Sequence, residues 1–264
     1  MRILILGGTG EARALAAGLA AQGADVISSL AGRVREPRLP AGRVRIGGFG
    51  GADGLTAFLK EESITHVIDA THPFAGTISA NAARAAGEAG VPRLVLRRPG
   101  WDADPSWESV ADIHEAAAAV RDWPGAATPA VLDGPGAATP AARDLPGEAV
   151  FLTTGRRDLA AFAGDREHRF LVRTVDPPEG PVPPRATVIL DRGPYTVAGE
   201  TGLMRDHGIG LLVTKNSGGP MTAAKLEAAR DLGVHVVMVQ RPPLPPGSAT
   251  VPTVAEAMSW IEGS

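Results

Sequence analysis

Hydrophobic and polar positions follow two rhythms over the first hundred residues. Short, aliphatic-rich runs at Ile3–Leu6, Asp25–Ser28, Val44–Ile46, His66–Ala70 and Arg93–Leu96 predict strands, and alanine-rich stretches near 11–22, 53–62 and 76–90 predict helices between them. Strands alternating with helices in this way predict a parallel sheet covered on both faces and built from right-handed βαβ units. Ligands of such sheets bind beyond the carboxyl ends of the strands. The stretch "RRPGWDADPSW", 97–107, breaks the alternation with proline, glycine and tryptophan. A domain boundary is therefore expected there, with 1–97 as a dinucleotide-binding α/β domain and 98–264 as a second α/β domain completing a substrate and cofactor cleft.

The pattern then restarts. Val150–Thr153 precedes a short helix, Phe170–Thr174 and Thr187–Leu190 read as strands, and Leu211–Thr214 leads through "KNSGG" to a helix over 221–232. Val234–Val239 is a further strand, and a terminal helix starts at Thr253, whose hydroxyl three residues before Glu256 predicts a capping box. "GAATPA" occurs at 125–130 and again at 136–141, too few copies for a solenoid, within a Pro/Ala/Gly-rich region over 124–147.

Composition removes several classes of chemistry. With no cysteine, the chain has no disulfide, no thiolate nucleophile and no cysteine-held zinc or iron–sulfur cluster. A net charge of −3 gives no global positive field for nucleic acid. The first apolar run, Ile3–Leu6, is too short for a secretory or membrane segment, so a cytoplasmic protein without a membrane partner is expected. No G-x-S-x-G elbow, Walker lysine motif or H-E-x-x-H metal site occurs, and residue 199 is glycine, so the Tyr-x-x-x-Lys of short-chain dehydrogenases is absent. No resident metal is expected.

What remains is a set of polar, glycine-bearing loops at predicted strand ends. In "RILILGGTGEARAL", residues Gly8-Thr9-Gly10-Glu11-Ala12-Arg13 match the first two glycines of the dinucleotide fingerprint G-x-G-x-x-G and carry Arg13 at the third. Backbone N–H groups at the start of the following helix suit a pyrophosphate. NAD-binding folds place an acid about 20 residues on, at the end of the second strand, to accept from the ribose 2′-OH. Here that strand ends in "SSLAGR", with Ser29 and Arg33 where a carboxylate would stand. Hydroxyl and guanidinium donors bind a 2′-phosphate, so NADPH is expected rather than NADH.

"VIDATHPFA", 67–75, brings Thr71 and His72 to the end of the fourth strand, where polar groups would face a nicotinamide or a substrate; His72 is a candidate proton donor. In the second half, Lys215, Asn216, Ser217 and Gly218 offer an ammonium, an amide, a hydroxyl and a glycine turn for an anion or carbonyl. Only three residues are lysine against 23 arginines, which makes Lys215 informative. "TTGRRD", 153–158, has the same form and adds Arg156.

The order of "ILILGGTGEAR", "SLAGR", "GGFGG", "DATHPFA", "RPGW", "TTGR" and "TKNSGG" resembles the precorrin-6A reductase family of the cobalamin pathway, including its cobalt-precorrin counterpart. The resemblance runs from residue 2 to about 242 and is weakest over 105–147. It implies two Rossmann- or flavodoxin-like domains with parallel sheets facing a central cleft that holds NADPH. It also implies reduction of the C18=C19 double bond of a tetrapyrrole, precorrin-6A, to precorrin-6B. On this reading Gly8, Thr9, Gly10, Glu11, Ser29, Arg33 and Thr71 bind the cofactor. Arg98, Arg156, Lys215, Asn216, Ser217 and Gly218 receive the polycarboxylate substrate, and Thr71, His72 and Lys215 line the reacting side. The residues alone also admit an NADP-dependent reductase or epimerase of another anionic small molecule, or a nucleotide-binding sensor without chemistry.

Overall fold

Every aliphatic run read as a strand forms one in the computed structural model, which describes residues 1–32, 38–125 and 149–263. The first unit contains β1 (Arg2–Leu6), α1 (Gly10–Ala21), β2 (Asp25–Leu30), β3 (Arg43–Ile46), α2 (Ala52–Glu61), β4 (His66–Asp69), α3 (Gly76–Ala89) and β5 (Arg93–Leu96). Its six strands are all parallel, in the order β12-β5-β4-β1-β2-β3, where β12 is Ala249–Val251 from the far end of the chain. Alternate residues of each strand enter opposite cores. Ile3, Ile5, Ile68 and Leu94 pack on Leu15 and Leu19 of α1, while Leu4, Leu6 and Val67 pack on Leu55 and Leu59 of α2 and Ala82 and Ala85 of α3. Both faces are dry at the central strands β1 and β4, and β1 therefore reads as an unbroken apolar run, whereas the edge strands β3 and β12 are half exposed.

The second unit contains β6 (Glu108–Val110), α4 (Ile113–Asp122), β7 (Ala149–Leu152), β8 (Arg169–Thr174), β9 (Ala186–Leu190), α5 (Val197–Asp206), β10 (Ile209–Lys215), α6 (Ala224–Leu232) and β11 (His235–Val239). Its sheet is also wholly parallel, ordered β6-β11-β10-β7-β8-β9. The helix expected over 221–232 divides into a 3-10 turn, Pro220–Thr222, and α6. The sequence reading passed over β6, α4 and α5; α4 buries Ala116, Ala117 and Val120 on one face, and α4 and α5 are started by caps, Asp112 accepting from His114 and Glu115 N–H and Thr196 from Gly199 N–H.

The chain divides as Met1–Pro99 with Pro242–Ser264, and Gly100–Arg241. The expected single span 98–264 therefore does not hold at its end: β12 pairs with β5 (Ala249↔Leu94 to Val251↔Leu96), and α7 (Val254–Glu262) packs on α1 through Ala257 and Ile261. The physical reason is exposure. Without this return, β5 would be an open edge, and the cluster around Leu15 and Leu19 would lose the cover that Ala257 and Ile261 supply on top of the sheet. Gly18 allows the approach, since a Cβ there would stand 2.9 Å from Met258 Sδ. Thr253 caps α7 as expected, accepting from Glu256 N–H at 3.2 Å, while Glu256 accepts from the Thr253 hydroxyl at 3.0 Å. Most of the 124–147 region, including nearly all of both "GAATPA" copies, lies outside the described residues, as does Arg33. No helix among the described residues is long and apolar enough to cross a membrane.

Candidate active site at two strand edges

In the first sheet the chain runs outward from β1 to β2 and β3, then returns to β4 and continues to β5 on the other side. The reversal puts a crevice beyond the carboxyl ends of β1 and β4, the place where open α/β sheets bind ligands. Residues 7–10 and 69–72 occupy it, and they are tied together. Thr9, 8% exposed, caps α1 by accepting from Ala12 N–H at 3.1 Å and donates its hydroxyl to Ala70 O at 2.9 Å. Its side chain is thus spent on shaping the loop, leaving the N–H groups of Gly10 and Glu11 at the head of the helix ahead of the intrahelical ladder. Gly8 has φ +116°, and a Cβ built there would meet no atom within 4 Å, so the loop surface is open at this point.

The fingerprint's missing third glycine has a local explanation. Close helix-to-sheet contact falls on Ala12, 3% exposed and 3.5 Å from a Cβ built on Gly7, rather than on Arg13. Arg13 is half-buried and brings Nη2 to 3.9 Å from a Cβ built on Gly10. Glu11 and Arg98, expected at cofactor and substrate respectively, meet as an ion pair of 3.0 Å in this unit.

Beyond β4, Asp69 is 1% exposed and organises Thr71: its Oδ1 accepts from Thr71 N–H at 3.2 Å and from the Thr71 hydroxyl at 2.7 Å. The Thr71 hydroxyl proton is committed to Asp69, so this oxygen meets a ligand as an acceptor. His72 is exposed, and its Nδ1 accepts from Phe74 N–H at 3.3 Å, which assigns the proton of the neutral ring to Nε2. At the other side of β1, Gly7 N–H donates to Ser29 O at 2.9 Å, setting Ser29 beside the glycine loop. Ser29 is paired in register with Arg45 of β3, a residue sequence reasoning passed over although "RVRIGGFGG" carried the signal of a cation on a strand that ends in glycines.

The second sheet has the same device. From β7 the chain goes outward to β8 and β9, returns to β10, and continues to β11, so its crevice lies beyond β7 and β10. The two motifs picked out at predicted strand ends therefore share one edge, with Leu152 opposite Val213. Thr153 N–H donates to Val213 O at 3.0 Å, and Lys215 forms an ion pair with Asp158 of "TTGRRD". Arg156 pairs with Glu179 at 2.8 Å. Thr154 and Thr214 are buried with hydroxyls that bond no group among the described residues.

Asn216, expected at the substrate, also braces its own loop. Its Oδ1 accepts from Trp101 N–H at 2.9 Å, and its backbone O accepts from Arg241 Nε at 2.6 Å. Trp101 Nε1 donates to Gly219 O at 3.0 Å, and Gly100 lies close against Asn216, a Cβ there standing 3.0 Å from Asn216 Oδ1. "PGW" and "KNSGG" are thus one braced substructure, with Ser217 and Gly218 in its turn. Beneath it lies a charged interior that the sequence did not disclose. Arg173 grips Glu200 through two bonds of 2.5 and 2.8 Å and stacks on Tyr195, and Lys225, 5% exposed, is driven by burial to a pKa of about 7, with the Arg173 charge adding to the effect. No cluster of three or more His, Asp or Glu arranged to hold a metal occurs among the described residues.

Comparison with known proteins shows the family and the fold. The family model described as "Precorrin-6x reductase CbiJ/CobK" matches residues 2–262. A precorrin-6A reductase of Rhodococcus erythropolis is 51% identical over 98% of this chain and 97% of its own, and one of Rhodobacter capsulatus is 40% identical over 98% and 95%. A cobalt-precorrin-6A reductase of Priestia megaterium is 27% identical over 93% and 92%. Among solved structures, a CobK precorrin-6A reductase superposes with a TM-score of 0.83 at 41% identity, covering 100% of this chain and 96% of that one.

Proposed function

This chain belongs to the precorrin-6x reductase CbiJ/CobK family, and we propose that it reduces the C18=C19 bond of precorrin-6A to give precorrin-6B in cobalamin biosynthesis, with NADPH as hydride donor. The observation that carries the cofactor side is the end of β2, where Ser29 faces Arg45 of β3 with no carboxylate bonded to either among the described residues, beside a glycine loop whose helix is capped by Thr9. A ribose 2′-OH needs an acceptor at that position, and a 2′-phosphate needs donors. The residues fit NADPH on those grounds. When bound, the cofactor supplies the hydride, and the chain's contribution is to hold and orient.

On this reading Gly8 and Gly10 leave the backbone open to a pyrophosphate, with Glu11 N–H as a further donor. Asp69 fixes Thr71 so that its oxygen accepts a donor from the nicotinamide end, and His72 Nε2–H stands as candidate donor for the proton that follows the hydride. Lys215 and Arg156 at the β7/β10 edge suit the substrate's acetate and propionate groups, each cation held in place by its own carboxylate partner, Asp158 or Glu179. Identities of 51% and 40% to precorrin-6A reductases against 27% to a cobalt-precorrin-6A reductase favour the metal-free substrate. The test is reduced-nicotinamide consumption with precorrin-6A and with its cobalt form, each with NADPH and NADH. Faster loss with NADPH and precorrin-6A is expected. NADPH that binds but is never consumed with either tetrapyrrole would refute the catalytic reading in favour of a nucleotide-responsive binding protein.

A further inference from the structure

The expected reader of the 2′-phosphate, Arg33, is outside the described residues. A second guanidinium is placed where such a reader must stand. Arg45 lies on β3 opposite Ser29, with Nη1 at 3.5 Å from Ser29 Oγ. Its position is over-determined: Nη1 donates to Gly47 O at 2.6 Å, Nη2 donates to Gly48 O at 2.8 Å, and the guanidinium stacks 3.9 Å over the Phe49 ring, with Phe58 at 5.4 Å. An arginine that merely tied its own loop would need no more than this. Yet a guanidinium has five N–H groups, and Nε–H with the second N–H of Nη2 meets no acceptor among the described residues. Arg45 also forms no ion pair among them.

The surroundings favour an anion. Ser29 is 6% exposed and its hydroxyl hydrogen has no acceptor among the described residues, so Ser29 and Arg45 together present donors and no carboxylate. The adjoining loop is open, because a Cβ at Gly47, Gly48, Gly50 or Gly51 would meet nothing within 4 Å. Ser29 is in turn bonded through its carbonyl to the first residue of the dinucleotide loop, Gly7. We infer that Arg45, oriented by Phe49 and the Gly47 and Gly48 carbonyls, reads the 2′-phosphate of NADPH together with Ser29 and sets the preference over NADH. This rests on the NADPH reading above and names the residues that would enforce it.

The test is direct binding of NADPH and NADH to the full chain, by nicotinamide fluorescence or calorimetry, for the wild type, Arg45→Gln, Ser29→Ala and Arg33→Ala. One lost charge-assisted contact to phosphate corresponds to roughly a 10- to 100-fold change in affinity. Arg45→Gln should lose that factor for NADPH while NADH binding stays within about twofold, and Ser29→Ala, which leaves the Phe49 stack intact, should lose severalfold for NADPH alone. Equal losses for both nucleotides in Arg45→Gln, together with an unchanged preference in Ser29→Ala, would reduce Arg45 to a loop brace and overturn the inference. A preference that survives in both variants and vanishes in Arg33→Ala would overturn it too. A wild type that binds both nucleotides alike refutes the NADPH reading itself, a result distinct from either.

Discussion

Thr9→Val is the sharpest probe of how the dinucleotide loop is built, because it keeps shape and removes only the hydroxyl. That hydroxyl makes two buried bonds, to Ala12 N–H at 3.1 Å and to Ala70 O at 2.9 Å. Loss of an N-cap costs about 0.5–2 kcal/mol. Stranding the buried Ala70 carbonyl adds about 1–3 kcal/mol. The two terms share one oxygen and do not add fully, so about 2–4 kcal/mol is expected. A melting curve averages over both units of the chain and does not locate the loss. Hydrogen exchange of the α1 amides is local, and 2–4 kcal/mol corresponds to exchange faster by roughly 30- to 700-fold. NADPH affinity should fall with it, because the cap aligns the helix N–H groups with the loop. Thr9→Ser, which restores the oxygen, should recover most of both losses. Exchange in Thr9→Val within about twofold of wild type, with NADPH binding intact, would refute the reasoning that this hydroxyl ties β1 to β4.

Three other outcomes follow from the geometry. In Gly100→Ala the new Cβ would press on Asn216 Oδ1 from 3.0 Å, so the Trp101 brace must shift; a cost of about 1–3 kcal/mol and a raised KM for precorrin-6A with unchanged KM for NADPH are expected from melting curves and steady-state kinetics. Lys225→Met tests the buried ammonium: with its folded pKa lowered to about 7, the unfolded chain binds the extra proton between about pH 7 and the ordinary lysine range, so wild-type stability rises with pH across that window. The variant should therefore melt higher than wild type, by more at pH 6 than at pH 9; a gain that is flat with pH would show that Lys225 is already protonated and paired. His72→Asn should slow turnover at least tenfold without changing NADPH affinity if Nε2–H delivers the proton, and full turnover in this variant removes His72 from that role.

The candidate loops were legible because each follows a local rule. A strand that ends in glycine and passes into a helix exposes N–H groups whatever the rest of the chain does, so "GGTGEAR", "DATHP" and "TKNSGG" announced themselves. Residues with assigned contacts proved harder. Asn216 reads as a ligand from its position after β10, but its amide is engaged by Trp101, 115 positions away, and no local pattern contains that partner. Glu11 reads as a cofactor contact and Arg98 as a substrate cation, and across 87 positions of sequence they form one ion pair. Arg45, one of 23 arginines, has only the weak signal of a cation on a strand that ends in glycines, and the register of β2 against β3 sets it across from Ser29.

By itself, then, the sequence determined most of the elements, their parallel α/β class, the absence of thiol chemistry and the order of motifs that marks the family. Those properties depend on side-chain period, turn chemistry and composition, which act over a few residues. Only the tertiary structure decided which strand ends are neighbours. It placed β4 beside β1 and β10 beside β7, and it sent Ala249–Val251 back to β5. Each choice is made by which apolar face and which open edge remain to be covered once the other elements have docked, and that is a property of the whole packed unit rather than of any stretch of chain.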